Sequence, residues 1–276
     1  MARAITKDTQ LCISLSGRPS NIGTRFHNYL YDELDLDYVY KAFTTGDIVG
    51  AITGVRALGI RGCAVSMPWK QDVVPLVDVM DPSAQVIEAV NTIVNDGGRL
   101  TAYNTDYLAV RSLLRTHEVA STGATAVLGS GGMARACMAA LRDHGLTEGV
   151  VVARNRATGQ ALAQGYGWAW APTLGAARPQ VVLNAAPVGM APAPGSPDRS
   201  RDLPVEVDVV CRAETVVDVV ANPAETPLVR LAREHGIPVI TGAEVIALQA
   251  AAQFELYTGV RPSDEQVRRA SEYSRA

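Results

Sequence analysis

The stretch TAVLGSGGMARACMAAL, residues 125–141, constrains the fold more than any other. A run of β-formers leads into Gly129-Ser130-Gly131-Gly132-Met133-Ala134 and then directly into a helical pattern. This is the GxGxxA form of a dinucleotide-binding turn. Gly129 permits the tight turn, Gly131 lets a pyrophosphate approach the backbone, and the small Ala134 lets helix and strand pack closely. The helix N-terminus, with Gly132 and Met133 in its first turn, then points unpaired N–H groups at phosphate. The plain alternative is a merely tight βα turn. The strand before it and the helix after it favour the nucleotide.

The next strand, GVVVARNRATG, addresses which nucleotide. An NAD site carries an acid about 20 residues further on, bonded to the ribose 2′-hydroxyl. Here the strand ends in Arg154-Asn155-Arg156, with no acid. A guanidinium at that place pairs with a 2′-phosphate through charge-assisted bonds, so NADP is the expected cofactor, with Asn155 and Arg156 at its ribose end. The alternative for these arginines is a solvated basic loop.

Strands and helices alternate along the rest of the chain, the pattern of an α/β fold with parallel sheet. QLCISLSG is a strand ending at Gly17, FHNYLYDELDL a helix, and YVYKAF a strand. GDIVGAITGVRALGI places Ile48, Ile52, Val55 and Leu58 on one helical face. GCAVSM is a strand, and Pro68 suits the first position of a following helix, where its missing N–H costs nothing. TIVNDGGRLTAY is a hairpin whose glycines supply positive φ. After Asp106, YLAVRSLLRTHEV is amphipathic and gives way to the polar, small-residue stretch EVASTGAT. The second series has strands TAVLG, GVVVAR, VVLNAAP and TVVDVV, and residues 191–204 read as an exposed loop rich in proline, serine and charge. GAEVIALQAAAQFELYTG is a long helix, and Ser263 with Gln266 forms a capping box for a last one. Two lobes follow. The first, residues 1–106 completed by 241–276, binds substrate and carries the catalytic groups. The second, 107–240, is a doubly wound dinucleotide-binding domain. A cleft is expected between them.

Composition narrows the function. At 276 residues the chain suffices for two cores, and 47% hydrophobic with 19% charged residues describes a globular protein. A net charge of -3 without a basic block gives no electrostatic reason to expect nucleic acid or a membrane surface as partner. Cys12, Cys63, Cys137 and Cys211 are scattered singly, without ligand-spaced histidines, and read as small buried hydrophobes in a reducing compartment rather than disulfides or a metal site. MARAITKDTQ lacks a signal-peptide core, and no apolar run approaches about 18 residues, so a cytoplasmic location is expected by default.

Four polar segments outside the glycine loop carry candidate chemistry. Ser66-Met67-Pro68-Trp69-Lys70 ends one strand, Glu88-Ala89-Val90-Asn91-Thr92 precedes the hairpin, and Tyr103-Asn104-Thr105-Asp106 closes it. Gln249 and Gln253 lie four apart on an otherwise apolar helix. Hydride transfer between an alcohol and nicotinamide needs a group that takes the hydroxyl proton, and a lysine or an acid can serve. Taken singly, Lys70 reads as a solvated lysine, Asp106 as a helix N-cap, Asn91 as a turn residue and Gln249 as a partner for a buried backbone group.

Their order resembles the shikimate dehydrogenase family across nearly the whole chain. The family's V-T-x-P-x-K is Val65 to Lys70 here, its A-V-N-T is Ala89 to Thr92, and its N-T-D is Asn104 to Asp106. The glycine loop matches at 129–134, N-R-T reads Asn155-Arg156-Ala157, and N-x-T-P-x-G-M reads NAAPVGM at 184–190. D-x-x-x-N-P-x-x-T-P runs from Asp218 to Pro227, and the closing Q-A-A-x-x-F-E-L-x-T-G occupies 249–259. The resemblance implies NADP-dependent oxidation of a cyclohexene polyol carboxylate, or the reverse reduction of its ketone, in a monomer or homodimer. It implies Lys70 and Asp106 as the catalytic pair and Ser66, Asn91 and Gln249 as partners of substrate hydroxyls. Val219 and Gly242 would lie near the nicotinamide.

The chain departs from the pattern at the carboxylate end. The family's S-x-S-P-x-x-H-N aligns with Asn21 to Asn28, so both serines are absent, leaving Ser20, Asn21 and Arg25 as stand-ins. Ala64, Tyr107, Ala221 and Val245 also replace the usual residues. These changes point to a divergent member acting on shikimate or an analogue such as quinate. Two other readings stand beside it: a non-catalytic NADP- or metabolite-sensing protein on the same fold, and a related two-lobed dehydrogenase of a different substrate such as a folate. The Ser66, Asn91 and Gln249 set, suited to a small polyol, argues against the folate.

Overall fold

The computed structural model describes residues 4–192 and 198–276, and divides them into two compact units, Met1–Thr105 with Ala247–Ala276, and Asp106–Ile246. In the first unit, β1 (Gln10–Ser16), α1 (Ile22–Glu33), β2 (Tyr38–Thr44), α2 (Ile48–Ala57) and β3 (Gly62–Val65) form two parallel crossovers. β1 pairs with β2 from Gln10↔Tyr38 to Ser16↔Thr44, and with β3 from Cys12↔Gly62. After the short β4 (Val79–Met80) and α3 (Pro82–Gln85), the hairpin β5 (Thr92–Asp96) and β6 (Arg99–Tyr103) completes a sheet of order β2-β1-β3-β5-β6-β4. β5 runs antiparallel to β3, so this sheet is mixed. Gly97 and Gly98 turn the hairpin at φ of +59° and +95°.

Strand alternation sends β1 to two cores. Ile13 and Leu15 pack with Ile48, Ile52 and Val55 of α2 and with Cys63, Val65, Ile93 and Leu100. Cys12, facing the other way, joins Phe26, Leu30, Tyr31 and Tyr40. Leu58, expected on the buried face of α2, is the helix C-cap and 78% exposed, and Gly59 in the left-handed region turns the chain so that Ile60 is buried instead. No helix starts at Pro68. The Met67–Pro68 peptide is cis, residues 69–73 make isolated turns, and a single 3-10 turn spans Val74–Leu76. Pro75 has no N–H to give to a helix running on from Pro68, and so would interrupt its ladder.

The second unit begins with α4 (Thr105–Thr116) and continues β7 (Thr125–Leu128), α5 (Gly132–His144), β8 (Gly149–Val152), α6 (Arg156–Tyr166) and β9 (Ala169–Ala171). Its second half is β10 (Val181–Asn184), α7 (Val207–Cys211), β11 (Thr215–Asp218), α8 (Pro227–Glu234) and β12 (Val239–Thr241). All pairings are parallel in the order β12-β11-β10-β7-β8-β9, a doubly wound sheet whose order reverses between β7 and β10. Ala126, Leu128, Val182, Val216, Leu228 and Ala232 fill one core beneath it. Of the expected loop 191–204, residues 193–197 lie outside the described residues, and 191–192 and 198–204 have no regular structure.

The chain re-enters the first unit within α9 (Gly242–Thr258) and ends in α10 (Asp264–Arg275). The units therefore part at 105/106 and 246/247, inside α4 and α9, where the sequence suggested 106/107 and 240/241. Breaks inside helices leave no compositional mark. Phe254 and Tyr257 of α9 and Val267 and Ala270 of α10 join the core around Tyr31 and Tyr40. Any Cβ on Gly62 would overlap the Tyr257 ring, so glycine in β3 lets α9 lie close on the sheet. Ser263 and Gln266 cap α10 reciprocally. Among the described residues no helix is long and apolar enough to cross a membrane.

Candidate active site

In the first unit, the segments carrying Lys70 and Asn91 are stapled together. The Val65 N–H donates to the Asn91 carbonyl at 2.8 Å, and the Val90 N–H donates to the Lys70 carbonyl at 2.7 Å. Lys70 thus sits on a short loop with both ends held by the irregular segment that leads into β5. Its side chain is half-buried and that of Ser66 exposed, while the Ser66 N–H donates to the Leu15 carbonyl at 2.9 Å.

Asn91 is buried, and its carboxamide is fixed on every side. Its Oδ1 accepts from the Thr105 N–H at 2.8 Å and the Thr92 hydroxyl at 2.9 Å, and its Nδ2 donates to Gln249 Oε1 at 3.3 Å. One turn further along α9, Gln253 Nε2 donates to Thr92 Oγ1 at 2.9 Å and to the Asn91 carbonyl at 3.3 Å. The two glutamines divide the work. Gln253, buried, holds the backbone, and Gln249, half-buried, meets the Asn91 side chain. Asn91 therefore offers a second amide proton in a fixed direction. Asn104 supports the arrangement from behind, donating to the Ala89 carbonyl at 2.9 Å.

The stand-ins for the missing serines lie at and just before the start of α1. Asn21 is the exposed N-cap of α1 and makes no side-chain capping bond. Ser20 Oγ accepts from the Ile22 N–H at 3.4 Å, a bond within its own turn. Arg25 lines a surface groove between α1 and α10 with Tyr29, Asp32, Arg269 and Tyr273. The nearest upstream hydroxyl, Ser16, accepts from the Arg18 N–H at 3.0 Å and donates to the Met67 carbonyl at 3.3 Å.

In the second unit, Asp106 lies in the first turn of α4, after rather than at the cap, and is 3% exposed. Burial, and then the Asp106 charge, push the Cys137 thiol of α5 upward. Tyr107, one of the departures from the family pattern, is tied to α5, its hydroxyl donating to Asp143 at 2.6 Å.

The glycine loop lies at the point where strand order reverses. Gly129 has φ of +111°, and a Cβ there would come within 2.9 Å of the Ala185 carbonyl, next to β10. Gly131 is the N-cap of α5 without any side-chain cap, and Cβ atoms on Gly131 and Gly132 would meet nothing within 4 Å. A tight turn over open space at the start of a 13-residue helix suits the pyrophosphate of a dinucleotide. Met133 is half-buried, and Ala134 is fully buried in the helix. Ser130 Oγ lies 2.7 Å from Thr158 Oγ1, and Asn155 caps α6 by accepting from the Thr158 N–H at 3.1 Å. Arg156, exposed at the first position of α6, places its guanidinium over the Trp170 ring at 5.7 Å.

Val219 and Gly242 meet at the end of β11. A Cβ on Gly242 would overlap the Val219–Val220 backbone, so only glycine allows α9 to start there. The loop is held from below by Asp218, which the sequence showed only as part of a motif. Its carboxylate accepts from Thr226 Oγ1 at 2.5 Å, Asn184 Nδ2 at 3.0 Å and the Val220 N–H at 3.1 Å. Burial pushes this carboxyl upward despite its three donors. Thr92, Thr105, Asp218 and Trp170 are supporting residues that sequence motifs did not single out as site residues. Among the described residues no three His, Cys, Asp or Glu side chains cluster as metal ligands.

Residues 21–93 match the family model of the shikimate dehydrogenase substrate binding domain. The chain is 51% identical to a shikimate dehydrogenase-like protein of Haemophilus influenzae over 271 residues, 98% of each chain. It is 37% identical to a shikimate dehydrogenase (NADP(+)) of Chlorobium phaeobacteroides, covering 88% of each. Among solved structures, shikimate 5-dehydrogenase of Thermus thermophilus in complex with NADP(H) and shikimate superimposes with a TM-score of 0.83 at 29% identity, over 96% of this chain and 99% of that one.

Proposed function

Because the chain belongs to the shikimate dehydrogenase family, we propose that it is an NADP-dependent oxidoreductase interconverting shikimate, or a close analogue such as quinate, and its 3-dehydro ketone. The observation that carries the proposal is the fixed Asn91–Gln249 pair, stapled to the Lys70 loop, in a chain that also bears an open glycine loop at a strand-order reversal. Bound NADP would supply the acceptor for the hydride that leaves the carbinol carbon. Lys70 receives the hydroxyl proton as the C–O bond becomes a carbonyl, and returns it in the reverse direction. Asp106 is the second member of the proposed pair. Ser66, Asn91 and Gln249 orient the ring hydroxyls. The Gly131–Ala134 turn holds the pyrophosphate, Asn155 and Arg156 hold the ribose 2′-phosphate, and Val219 with Gly242 backs the nicotinamide.

The test is nicotinamide reduction by purified protein with NADP and a panel of shikimate, quinate and amino-substituted analogues. Lys70→Ala should lower kcat by about 10²- to 10⁴-fold while NADP still binds. No turnover of any panel member by folded, NADP-binding protein would sink the proposal. A sensing role on the same fold is the second reading, motivated by the changed carboxylate end, where both family serines are absent. It requires Lys70→Ala to leave function intact.

A further inference from the structure

The Arg156–Trp170 stack joins a motif arginine to a tryptophan that no family motif covers. Trp170 stands in β9, and its indole N–H donates to the Ala153 carbonyl at 3.2 Å. That bond fixes the ring plane against the end of β8, two residues before the α6 N-cap Asn155. Gly159 makes room for it, since a Cβ there would overlap the indole. Arg156 then lays its guanidinium over the ring face, and its Nε donates to Gln160 at 3.4 Å. A long, exposed arginine at a helix start would ordinarily sample many rotamers. Here an indole locked from below narrows that range at an arginine expected to meet a 2′-phosphate.

We infer that Trp170 is a positioning residue that sets the preference for a 2′-phosphorylated nucleotide by holding the Arg156 guanidinium, with Gly159 as the slot that admits it. The inference rests on the NADP reading above. The stack contributes to affinity only where a 2′-phosphate engages Arg156, because a nucleotide lacking that group has nothing to gain from the ordered guanidinium. Trp170 contacts neither hydride nor proton, so its effect falls on binding and not on the chemical step.

The discriminating experiment measures binding of adenosine 2′,5′-bisphosphate and 5′-AMP to the full chain by calorimetry. Trp170→Leu should weaken the bisphosphate by roughly two- to fivefold, the worth of an exposed cation–π contact, and leave 5′-AMP unchanged. Trp170→Phe should fall between it and the parent. In an Arg156→Ala background, Trp170→Leu should have no further effect on either ligand. Fluorinated tryptophan, which weakens the ring face at nearly constant size, should lower bisphosphate selectivity in the same direction even if the leucine variant fails to fold. Equal weakening of both nucleotides, or persistence of the effect without Arg156, would overturn the inference while leaving the NADP reading intact. Equal binding of both nucleotides by the parent protein would overturn the two together.

Discussion

His27 shows what one residue costs when the fold surrounds it with rings. It is fully buried, stacked on Tyr40 at 4.4 Å with Phe26, Phe254 and Tyr257 about it. Burial, outweighing the opposing pull of Gln253, lowers its imidazole from 6.5 to about 3. The unfolded chain therefore takes up a proton near pH 6.5 that the folded chain refuses until about pH 3. Stability from this group is complete above pH 6.5 and is lost as pH falls, by up to about 1.4 kcal/mol per unit. Urea unfolding at pH 7, 6 and 5 should show this slope, and His27→Leu should reduce it by one proton. Identical slopes for parent and variant would refute the assignment.

At the scale of elements, β3 and α9 depend on a missing side chain. Gly62→Val forces a branched residue against Tyr257, and should cost about 1–3 kcal/mol through overpacking, read as a lower urea midpoint. A midpoint within error of the parent would mean that α9 can withdraw at no cost. Elements with strong local chemistry were legible in the sequence: the β7–α5 turn, the Gly97-Gly98 hairpin and the Ser263–Gln266 box each specify their geometry within a few residues. Elements set by distant partners were not. Val79–Met80 is a strand because β6 lies beside it, and Ala169–Ala171 because β8 does. Pro68 had the chemistry of a helix start, but Pro75 would interrupt the ladder that followed. The candidate site divided in the same way. Asn91 and Gln249 were visible as motif members. Thr105 emerged as part of the frame of Asn91 only when the hairpin closed, and Gln253 only when residues more than 150 positions apart met.

For the whole molecule, two sheets with separate cores imply that a ligand of one unit protects that unit first. With NADP at a hundred times its Kd, amides of β7, β10 and β11 should exchange about a hundredfold more slowly, equivalent to roughly 2.7 kcal/mol. Amides of β1 and β3 should slow less. Uniform slowing, measured by hydrogen exchange with mass spectrometry, would show a single cooperative unit instead.

The chain order carries a temporal consequence. The second unit is continuous in sequence, whereas the first takes Phe254, Tyr257, Val267 and Ala270 from the far side of it. On a translating ribosome the nucleotide-type unit can close as soon as its own residues emerge. The aromatic face of α1 and β2 must wait, open to solvent and to chaperones, until α9 and α10 arrive. The unit bearing Lys70 is begun before the nucleotide-type unit and completed after it.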